Sequence, residues 1–201
     1  AGTEFASFEA FVAAVKLQLA AILEKTKQSL RVTDGLMYDI CPSLFMSPTY
    51  ESSITSGVEL YAKGGAKYGN TSLPAVGIAT LVDSLLAVKN VVFDRKLVTL
   101  AALTETLKNN WADAEKLRLI CKNTGAKYGN NNPVADDLAV EFVDMADKLV
   151  NGVPNGRGGV FRMGMFTVDW RYYMGKRVGA TPDGRGSGEP FSKNFCAVIG
   201  Q

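Results

Sequence analysis

Three cysteines, Cys41, Cys121 and Cys196, are the candidate nucleophiles of this chain. They are far apart in the sequence, and none belongs to a CxxC pair that could hold zinc or cycle as a redox dithiol. None is followed by a helix start or flanked by a base, the features that activate a thiol. We therefore expect buried, reduced thiols, as is typical of a cytosolic protein, and assign no catalytic role to any of them.

The sequence contains no histidine. This excludes Ser–His and Cys–His catalytic pairs and removes the commonest zinc ligand, so no metal site is expected. Carboxylates remain, and Glu141, Asp144 and Asp147 lie on one face of a predicted helix. Nothing basic or apolar around them favours a perturbed pKa, so we interpret this face as solvated.

Basic side chains are set among glycines in the stretch 174–192, MGKRVGATPDGRGSGEPFS. Lys176, Arg177 and Arg185 could cradle an anion together with backbone N–H groups. However, the stretch does not match the phosphate loop GxxxxGK[ST], and no GxGxxG lies between a strand and a helix. Pro182-Asp183-Gly184 has turn chemistry. We favour an ordered structural turn whose basic residues pair with carboxylates, with phosphate binding as the alternative.

The overall composition indicates a soluble globular chain. Its 201 residues are 47% hydrophobic and 21% charged, which suits one domain or two small ones. The 22 basic and 20 acidic residues are spread along the chain and leave a net charge of +2, so we expect no nucleic-acid partner. The longest apolar run, 75–93, is interrupted by Asp83, Lys89 and Asn90, so we expect no membrane partner.

Hydrophobic periodicity predicts mostly helices. One amphipathic helix runs from Ser7 to about Arg31 and ends near Asp34-Gly35. A second, opened by Ser72 and Pro74, runs to about Phe93 and is apolar on nearly all sides. The intervening segment 38–50 contains two prolines around Leu44-Phe45-Met46, and we expect it to be irregular and buried.

The second half of the chain adds shorter helices and a strand. Thr99 is the expected N-cap of a short helix, and another is predicted from Trp111 to about Lys122. Asn132-Pro133 begins a helix with acidic residues in its first turn and Gly152 just past its end. The run 160–168 is rich in strand formers and predicts a buried strand.

The hexapeptide GAKYGN occurs twice, at 65–70 and at 125–130. The residues around the two copies do not align with each other. We interpret the copies as two separate turns that each lead into a helix, and not as a repeat protein.

Four blocks carry a family resemblance: Gly64–Tyr68, Gly77–Leu85, Lys127–Asn130, and the run Gly175–Arg185 with Gly188–Pro190. In this order and spacing they resemble the glycyl radical enzymes of the pyruvate formate-lyase type. The first block resembles the glycerol dehydratase-like branch more than pyruvate formate-lyase itself. The resemblance covers the chain from about Ser7, whereas residues 1–6 look vector-derived.

This resemblance implies a helix-rich α/β fold that is a slice of a ten-stranded α/β barrel, with residues 7–201 as a partial barrel domain. Members of the family carry a glycyl radical, which a separate S-adenosylmethionine-dependent activating enzyme with an iron–sulfur cluster installs. The radical oxidises a cysteine to a thiyl, which takes hydrogen from a small organic substrate. Members include acyltransferases, dehydratases, decarboxylases and lyases, and the resemblance implies a cytoplasmic enzyme of anaerobic metabolism.

The chain departs from the family at both reactive elements. The family's cysteine loop lies upstream of the first long helix. Its radical glycine lies in an Arg-Val-x-Gly-aromatic loop downstream of the Gly-Ala-Thr-Pro-Asp-Gly-Arg block. We find neither loop in this sequence. We therefore expect an interior fragment that binds no cofactor, is inactive alone, and self-associates, for example as a homodimer, to cover the apolar 75–93 helix. The alternative is a non-catalytic helical scaffold or interaction module derived from the family.

The resemblance marks one block of site residues, and the predicted strand before that block suggests a second set. We call the block Gly179, Ala180, Thr181, Pro182, Asp183, Gly184 and Arg185 the signature turn, and expect a structural turn at the mouth of the barrel. Phe166, Thr167 and Asp169 end the strand that leads into it, so they are the candidate substrate-pocket residues of the parent enzyme. Asp169 could equally pair with a nearby arginine.

Overall fold

The structure is a computed structural model that describes residues 4–165, 170–192 and 196–197. Its helices are α1 (Phe8–Ile40), α2 (Glu51–Ser56), α3 (Ile78–Val88), α4 (Leu100–Lys108), α5 (Glu115–Lys122), α6 (Pro133–Val150) and α7 (Trp170–Gly175). Strands β1 (Thr71–Pro74) and β2 (Phe161–Gly164) pair in parallel, a 3-10 turn covers Ser47–Thr49, and a π-helical turn (Lys89–Asp94) follows α3. None of the described helices is long and apolar enough to cross a membrane.

The chain divides into two compact units. Unit 1 comprises Ala1–Lys16, Ala75–Val143 and Met165–Gln201, and unit 2 comprises Leu17–Pro74 and Asp144–Gly164. Each unit is discontinuous in sequence, so each is held together by contacts between segments that are far apart along the chain.

Helix α3 forms the centre of unit 1. Eight of its residues are buried, which confirms the prediction of a helix covered on nearly all sides: Ala79, Thr80, Val82, Asp83, Leu85, Leu86, Ala87 and Val88. One end packs with Leu103, Trp111 and Cys121, and Val82 and Leu86 pack with Ala135 and Ala139. The apolar helix is therefore covered within the unit, and the expectation that it would be exposed is wrong.

The predicted start of α3 at Ser72 and Pro74 is also wrong. These residues belong to β1, in which Thr71 pairs with Phe161 and Pro74 with Gly164. The helix begins only at Ile78, after Gly77 with a φ of 85°. Pro74 is compatible with this strand because β1 is an edge strand of the described two-stranded sheet.

Two helix predictions are confirmed at their caps. The Thr99 hydroxyl accepts a hydrogen bond from the Ala102 amide at 3.1 Å at the start of α4. Helix α6 begins at Pro133, and Gly152 follows its end with a φ of 79°. Helix α5, by contrast, begins four residues after Trp111, whose φ of 65° is incompatible with a helix.

In unit 2, helix α1 continues through Asp34-Gly35 to Ile40 instead of ending there. The carboxylate of Asp34 is 7% exposed and accepts a hydrogen bond from the Thr71 hydroxyl at 2.7 Å. The side chain therefore serves the tertiary structure and does not compete with the helix backbone. The buried Lys27 of the same helix donates to the Leu149 carbonyl at 2.8 Å, near the end of α6.

Three further predictions concern exposure. Leu44, Phe45 and Met46 were expected to be buried, but all three are exposed, and Phe45 is 97% exposed. The carboxylates of Glu141, Asp144 and Asp147 are exposed as predicted. The predicted strand 160–168 is confirmed at Phe161–Gly164, and its residues 166–168 lie outside the described residues.

The cysteines divide between the two environments. Cys121 is buried as expected, whereas Cys41 and Cys196 are exposed, so that part of the prediction is wrong. The distances between the three cysteines along the sequence do not show which thiol is exposed to solvent.

Candidate functional site

The signature turn closes on itself through backbone and side-chain hydrogen bonds. The Thr181 amide donates to the Arg185 carbonyl at 3.0 Å, and the Gly184 amide donates to the Thr181 carbonyl at 3.1 Å. The Asp183 carboxylate, 1% exposed, accepts from the Thr181 hydroxyl at 2.5 Å and from the Arg185 amide at 3.3 Å. Gly184 has a φ of 94°, which a side chain would strain, so the Pro-Asp-Gly chemistry matches the backbone.

Arg185 is buried inside this turn and bonds mainly to carbonyl oxygens. Its guanidinium donates to the Glu189 carbonyl at 2.6 Å, to the Val178 carbonyl at 3.3 Å and also to the Gly179 carbonyl. The cation lies 4.6 Å from the centre of the Phe191 ring. Burial lowers the pKa of Arg185, opposed by the nearby carboxylates. Arg185 therefore organises the loop through its backbone and is not available to a ligand as a free cation.

Two side chains from the α4–α5 region hold the turn from outside. The Trp111 indole N–H donates to the Arg185 carbonyl at 3.1 Å, and the Arg118 guanidinium donates to the Gly184 carbonyl at 2.8 Å. Arg118 also lies 3.5 Å from the Glu189 carboxylate. Trp111 itself has a φ of 65°, so it lies outside the helices on either side of it.

The far end of the loop is attached to α3. The Thr80 amide donates to the Ser192 hydroxyl at 3.2 Å, and the Ser192 amide donates to the Thr80 hydroxyl at 3.0 Å. Both residues are buried. The loop is thus ordered at its turn and at its end, and it is not a flexible linker.

A cleft of about 340 Å³ opens beside the turn. Four cationic and two anionic side chains line it: Arg118, Lys122, Arg171, Arg185, Asp183 and Glu189. The Arg185 and Gly186 amides already donate to the Asp183 and Glu189 carboxylates. Because carboxylates of the chain itself occupy the donors that a phosphate would need, the geometry favours a structural turn over an anion site.

A buried pair of titratable groups with shifted pKa values, Asp83 and Lys127, lies next to this loop region. Asp83, in the middle of α3, is 1% exposed, and Lys127 is 5% exposed. Their Oδ2 and Nζ atoms are 3.8 Å apart, and the Tyr128 amide donates to Asp83 Oδ1 at 2.9 Å. Burial raises the pKa of Asp83 to about 6, although the Tyr128 amide and Lys127 oppose it. Burial likewise lowers the pKa of Lys127, against the attraction of Asp83 and Asp183.

Neither Asp83 nor Lys127 was predicted from the sequence to be a site residue. Its signals were present, since Asp83 interrupts an otherwise apolar helix and Lys127 occupies the second GAKYGN copy. The sequence does not show that the Asp83 carboxylate and the Lys127 ammonium are buried next to each other.

The structure describes some of the site residues predicted from the sequence but not all of them. The residues Gly179–Arg185 come together in the single turn described above. Phe166, Thr167 and Asp169 lie outside the described residues. Burial raises the pKa of the Cys121 thiol to about 11, which disfavours the thiolate. The described residues contain no group of three or more acidic, cysteine or histidine side chains that could hold a metal ion.

Comparison with known proteins identifies the family. A sequence model described as "PFL-like: Pyruvate formate lyase-like" matches residues 1–175. The chain belongs to the pyruvate formate lyase-like family. Its relatives in this family include (2S)-3-sulfopropanediol dehydratase of Klebsiella oxytoca, which is 33% identical over 195 residues, or 96% of this chain. Trans-4-hydroxy-L-proline dehydratase of Clostridioides difficile is 31% identical over 98% of this chain.

Solved structures of the family share the fold. The B12-independent glycerol dehydratase of Clostridium butyricum, in its glycerol-bound form, superposes with a TM-score of 0.85 at 34% identity over 95% of this chain. A glycyl radical enzyme of Archaeoglobus fulgidus superposes with a TM-score of 0.86 at 27% identity. These matches confirm the expected helix-rich α/β slice of a pyruvate formate-lyase-type barrel.

The chain is much shorter than these relatives. It spans 24% of the sulfopropanediol dehydratase, 25% of the hydroxyproline dehydratase and 24% of the glycerol dehydratase chain. The chain therefore spans about a quarter of the length of each of these three relatives.

Proposed function

We propose that this chain is an interior part of a glycyl radical dehydratase that eliminates water from a small hydroxylated organic substrate. The observation that carries the proposal is the match of 95 to 98% of the chain to about a quarter of several dehydratases. Two of the relatives are named for hydroxylated substrates, a sulfopropanediol and a hydroxyproline. In the whole enzyme a separate S-adenosylmethionine-dependent activating enzyme would install the glycyl radical, which would supply the oxidation of a cysteine to the thiyl that takes hydrogen from the substrate.

This chain's own contribution is the signature turn and the polypeptide that leads into it. The turn is braced by Arg185, Trp111 and Arg118 through backbone carbonyls, which makes it a rigid support. We propose that Phe166, Thr167 and Asp169, just upstream, line the substrate pocket of the whole enzyme. Asp169→Asn in the full-length enzyme should lower kcat/KM for its substrate, and unchanged activity would remove Asp169 from the pocket.

The isolated chain is proposed to be inactive and to associate with further polypeptide. Large apolar side chains of unit 2 are exposed, including Leu36 at 45%, Ile40 at 73%, Leu44 at 67% and Ile54 at 65%. Exposed apolar groups in this number are typical of a surface that another part of a protein covers. In size-exclusion chromatography the isolated chain should elute as a dimer or larger species, or be delayed by binding to the column matrix. Elution as a monomer at its expected volume would count against this surface being an interface.

The deciding experiment is to read the coding frame on both sides of this chain, beyond Gln201 and upstream of Ala1. An Arg-Val-x-Gly-aromatic block downstream and a Gly-Cys loop upstream support the enzyme, and their absence leaves the alternative of a helical scaffold. The full-length protein, treated with its activating enzyme under anaerobic conditions, should give a glycyl radical signal in electron paramagnetic resonance. The 201-residue chain treated in the same way should give none.

A further inference from the structure

The buried pair of Asp83 and Lys127 is the part of unit 1 that the proposed function does not use. Asp83 lies in the apolar helix α3, and Lys127 lies in the second GAKYGN copy, between α5 and α6. Ion pairs this deep are rare in proteins, because both charges lose their hydration. The pair therefore needs a physical explanation.

The hydrogen bonds of the pair are incomplete. Asp83 Oδ1 accepts from the Tyr128 amide at 2.9 Å. Asp83 Oδ2 and Lys127 Nζ are 3.8 Å apart, too far for a direct hydrogen bond, and neither atom has a hydrogen-bond partner among the described residues. A buried carboxylate oxygen and a buried ammonium both carry a large free-energy penalty when left unpaired.

We propose that a bound water molecule bridges Asp83 Oδ2 and Lys127 Nζ, and that this hydrated ion pair fixes the 125–130 turn on helix α3. One oxygen atom can lie about 2.8 Å from both atoms when they are 3.8 Å apart. The water donates one hydrogen to Oδ2 and accepts one from the ammonium. Internal waters typically serve buried polar groups that lack another partner, and both of these atoms are in that situation.

The arrangement attaches two successive residues of the turn to one carboxylate. Lys127 approaches Oδ2 with its side chain, and Tyr128 donates its backbone amide to Oδ1. A buried ion pair adds little net stability compared with an apolar pair, so the role proposed for this pair is to favour one arrangement of the turn on α3. Asp183, Cys121 and Lys122 also act electrostatically on Lys127, so the pair lies close to the signature turn as well.

The water itself can be tested on the unmodified chain. A crystal structure at better than about 1.5 Å resolution, or nuclear Overhauser contacts between water and the Lys127 ammonium, should show a long-lived water at this position. Direct contact of Nζ with Oδ2 at hydrogen-bond distance, without a water, would overturn the proposal.

The positioning role is tested by hydrogen exchange at the Tyr128 amide in a double-mutant cycle. Lys127→Met leaves Asp83 as an unpaired buried charge and should speed exchange of this amide by about tenfold or more. Asp83→Asn keeps an oxygen that can accept from the Tyr128 amide, but it leaves the Lys127 ammonium buried without a counter-charge, so it should also speed exchange of this amide. The double variant Asp83→Asn with Lys127→Met should exchange within about threefold of the unmodified chain, because both charges are removed together.

Matched controls separate this coupling from general destabilisation. Lys116→Met and Asp137→Asn change exposed residues of the same types on α5 and α6, and they should leave Tyr128 exchange unchanged. Exchange at amides in the middle of α4 reports unfolding of the unit as a whole. If the effects of Asp83→Asn and Lys127→Met simply add, or if α4 and Tyr128 speed up equally, the pair does not position the turn.

Discussion

The two GAKYGN copies have the same six residues in opposite environments. In the first copy Lys67 is exposed and lies 5.4 Å from the ring centre of Tyr68, which is itself 70% exposed. In the second copy Lys127 is 5% exposed and faces the buried Asp83. The first copy leads into strand β1, and the second leads into helix α6.

The glycines of the two copies differ just as strongly. A Cβ on Gly65 would lie 1.8 Å from the Glu59 carbonyl oxygen, whereas a Cβ on Gly125 would meet nothing within 4 Å. A short identical sequence thus encodes a preference for a turn, and the surrounding unit decides which of its atoms are buried. The comparison teaches that the role of each residue in the hexapeptide is set by its tertiary neighbours.

The largest expected difference between the copies is at the lysines. Lys127→Met should lower the free energy of unfolding by about 4 kcal/mol, because it leaves the Asp83 carboxylate buried without a counter-charge. Lys67→Met should cost less than about 1 kcal/mol, the value of an exposed cation–π contact. Urea denaturation of both variants measures the difference, and equal costs would contradict the comparison.

The glycines give the next largest difference. Gly65→Ala should destabilise the chain by about 3 kcal/mol, since the backbone at Glu59 must move to admit the methyl group. Gly125→Ala should change stability by no more than about 0.5 kcal/mol. The melting temperatures of the two variants, recorded by circular dichroism, check this pair, and a harmless Gly65→Ala would show that the first turn is not closely packed.

The third expected difference is in the pH dependence of stability, because only the second copy faces a buried carboxylate, that of Asp83. The pKa of Asp83 is raised from 3.8 in the unfolded chain to about 6 in the folded chain, so the folded state binds the proton more tightly. Stability should therefore fall as pH rises from about 4 to 6, by about 2 to 3 kcal/mol, and the cost remains above pH 6.

Asp83→Asn removes this titration and provides the control. The difference in unfolding free energy between the unmodified chain and Asp83→Asn should change between pH 4 and 6, and should be flat from pH 6 to 8. A difference that is constant from pH 4 to 8 would mean that Asp83 titrates in the folded chain as it does in the unfolded one.

The smallest expected difference is at the last residue of each copy. Asn70 Oδ1 accepts a hydrogen bond from the Val160 amide at 3.3 Å, so Asn70→Ala should cost about 1 kcal/mol. Asn130 is exposed, and Asn130→Ala should cost less than about 0.5 kcal/mol. Chemical denaturation of the two variants distinguishes these values, and a larger loss at Asn130 would reverse the comparison.

Local signals predicted the parts of the fold that local chemistry decides. The cap at Thr99, the start at Pro133 and the Pro-Asp-Gly turn at 182–184 each depend on residues within one turn of themselves, and the structure has all three. The family resemblance rested on the same short blocks, and the comparisons confirm it.

Errors occurred where distant residues decide the outcome. Asp34-Gly35 has the chemistry of a helix end, yet α1 continues because Asp34 is bonded to Thr71, which is 37 residues away. Ser72 and Pro74 have the chemistry of a helix start, yet they form a strand because β2 lies beside them. The candidate site has the same pattern, since the turn could be predicted but the burial of Asp83 with Lys127 could not.

The parallel pairing of β1 with β2 also has a consequence for the order of folding. Asn70 and Val160, which bond across this junction, are 90 residues apart in the sequence. Closing a chain of that length costs about 4 kcal/mol of entropy before any contact repays it. On the ribosome, Leu17–Pro74, the first segment of unit 2, cannot pair with β2 until β2 has left the exit tunnel. The apolar side chains of α1 stay uncovered for that time. A nascent chain halted after α5 should therefore bind chaperones, and one extended well past Gly164 should release them.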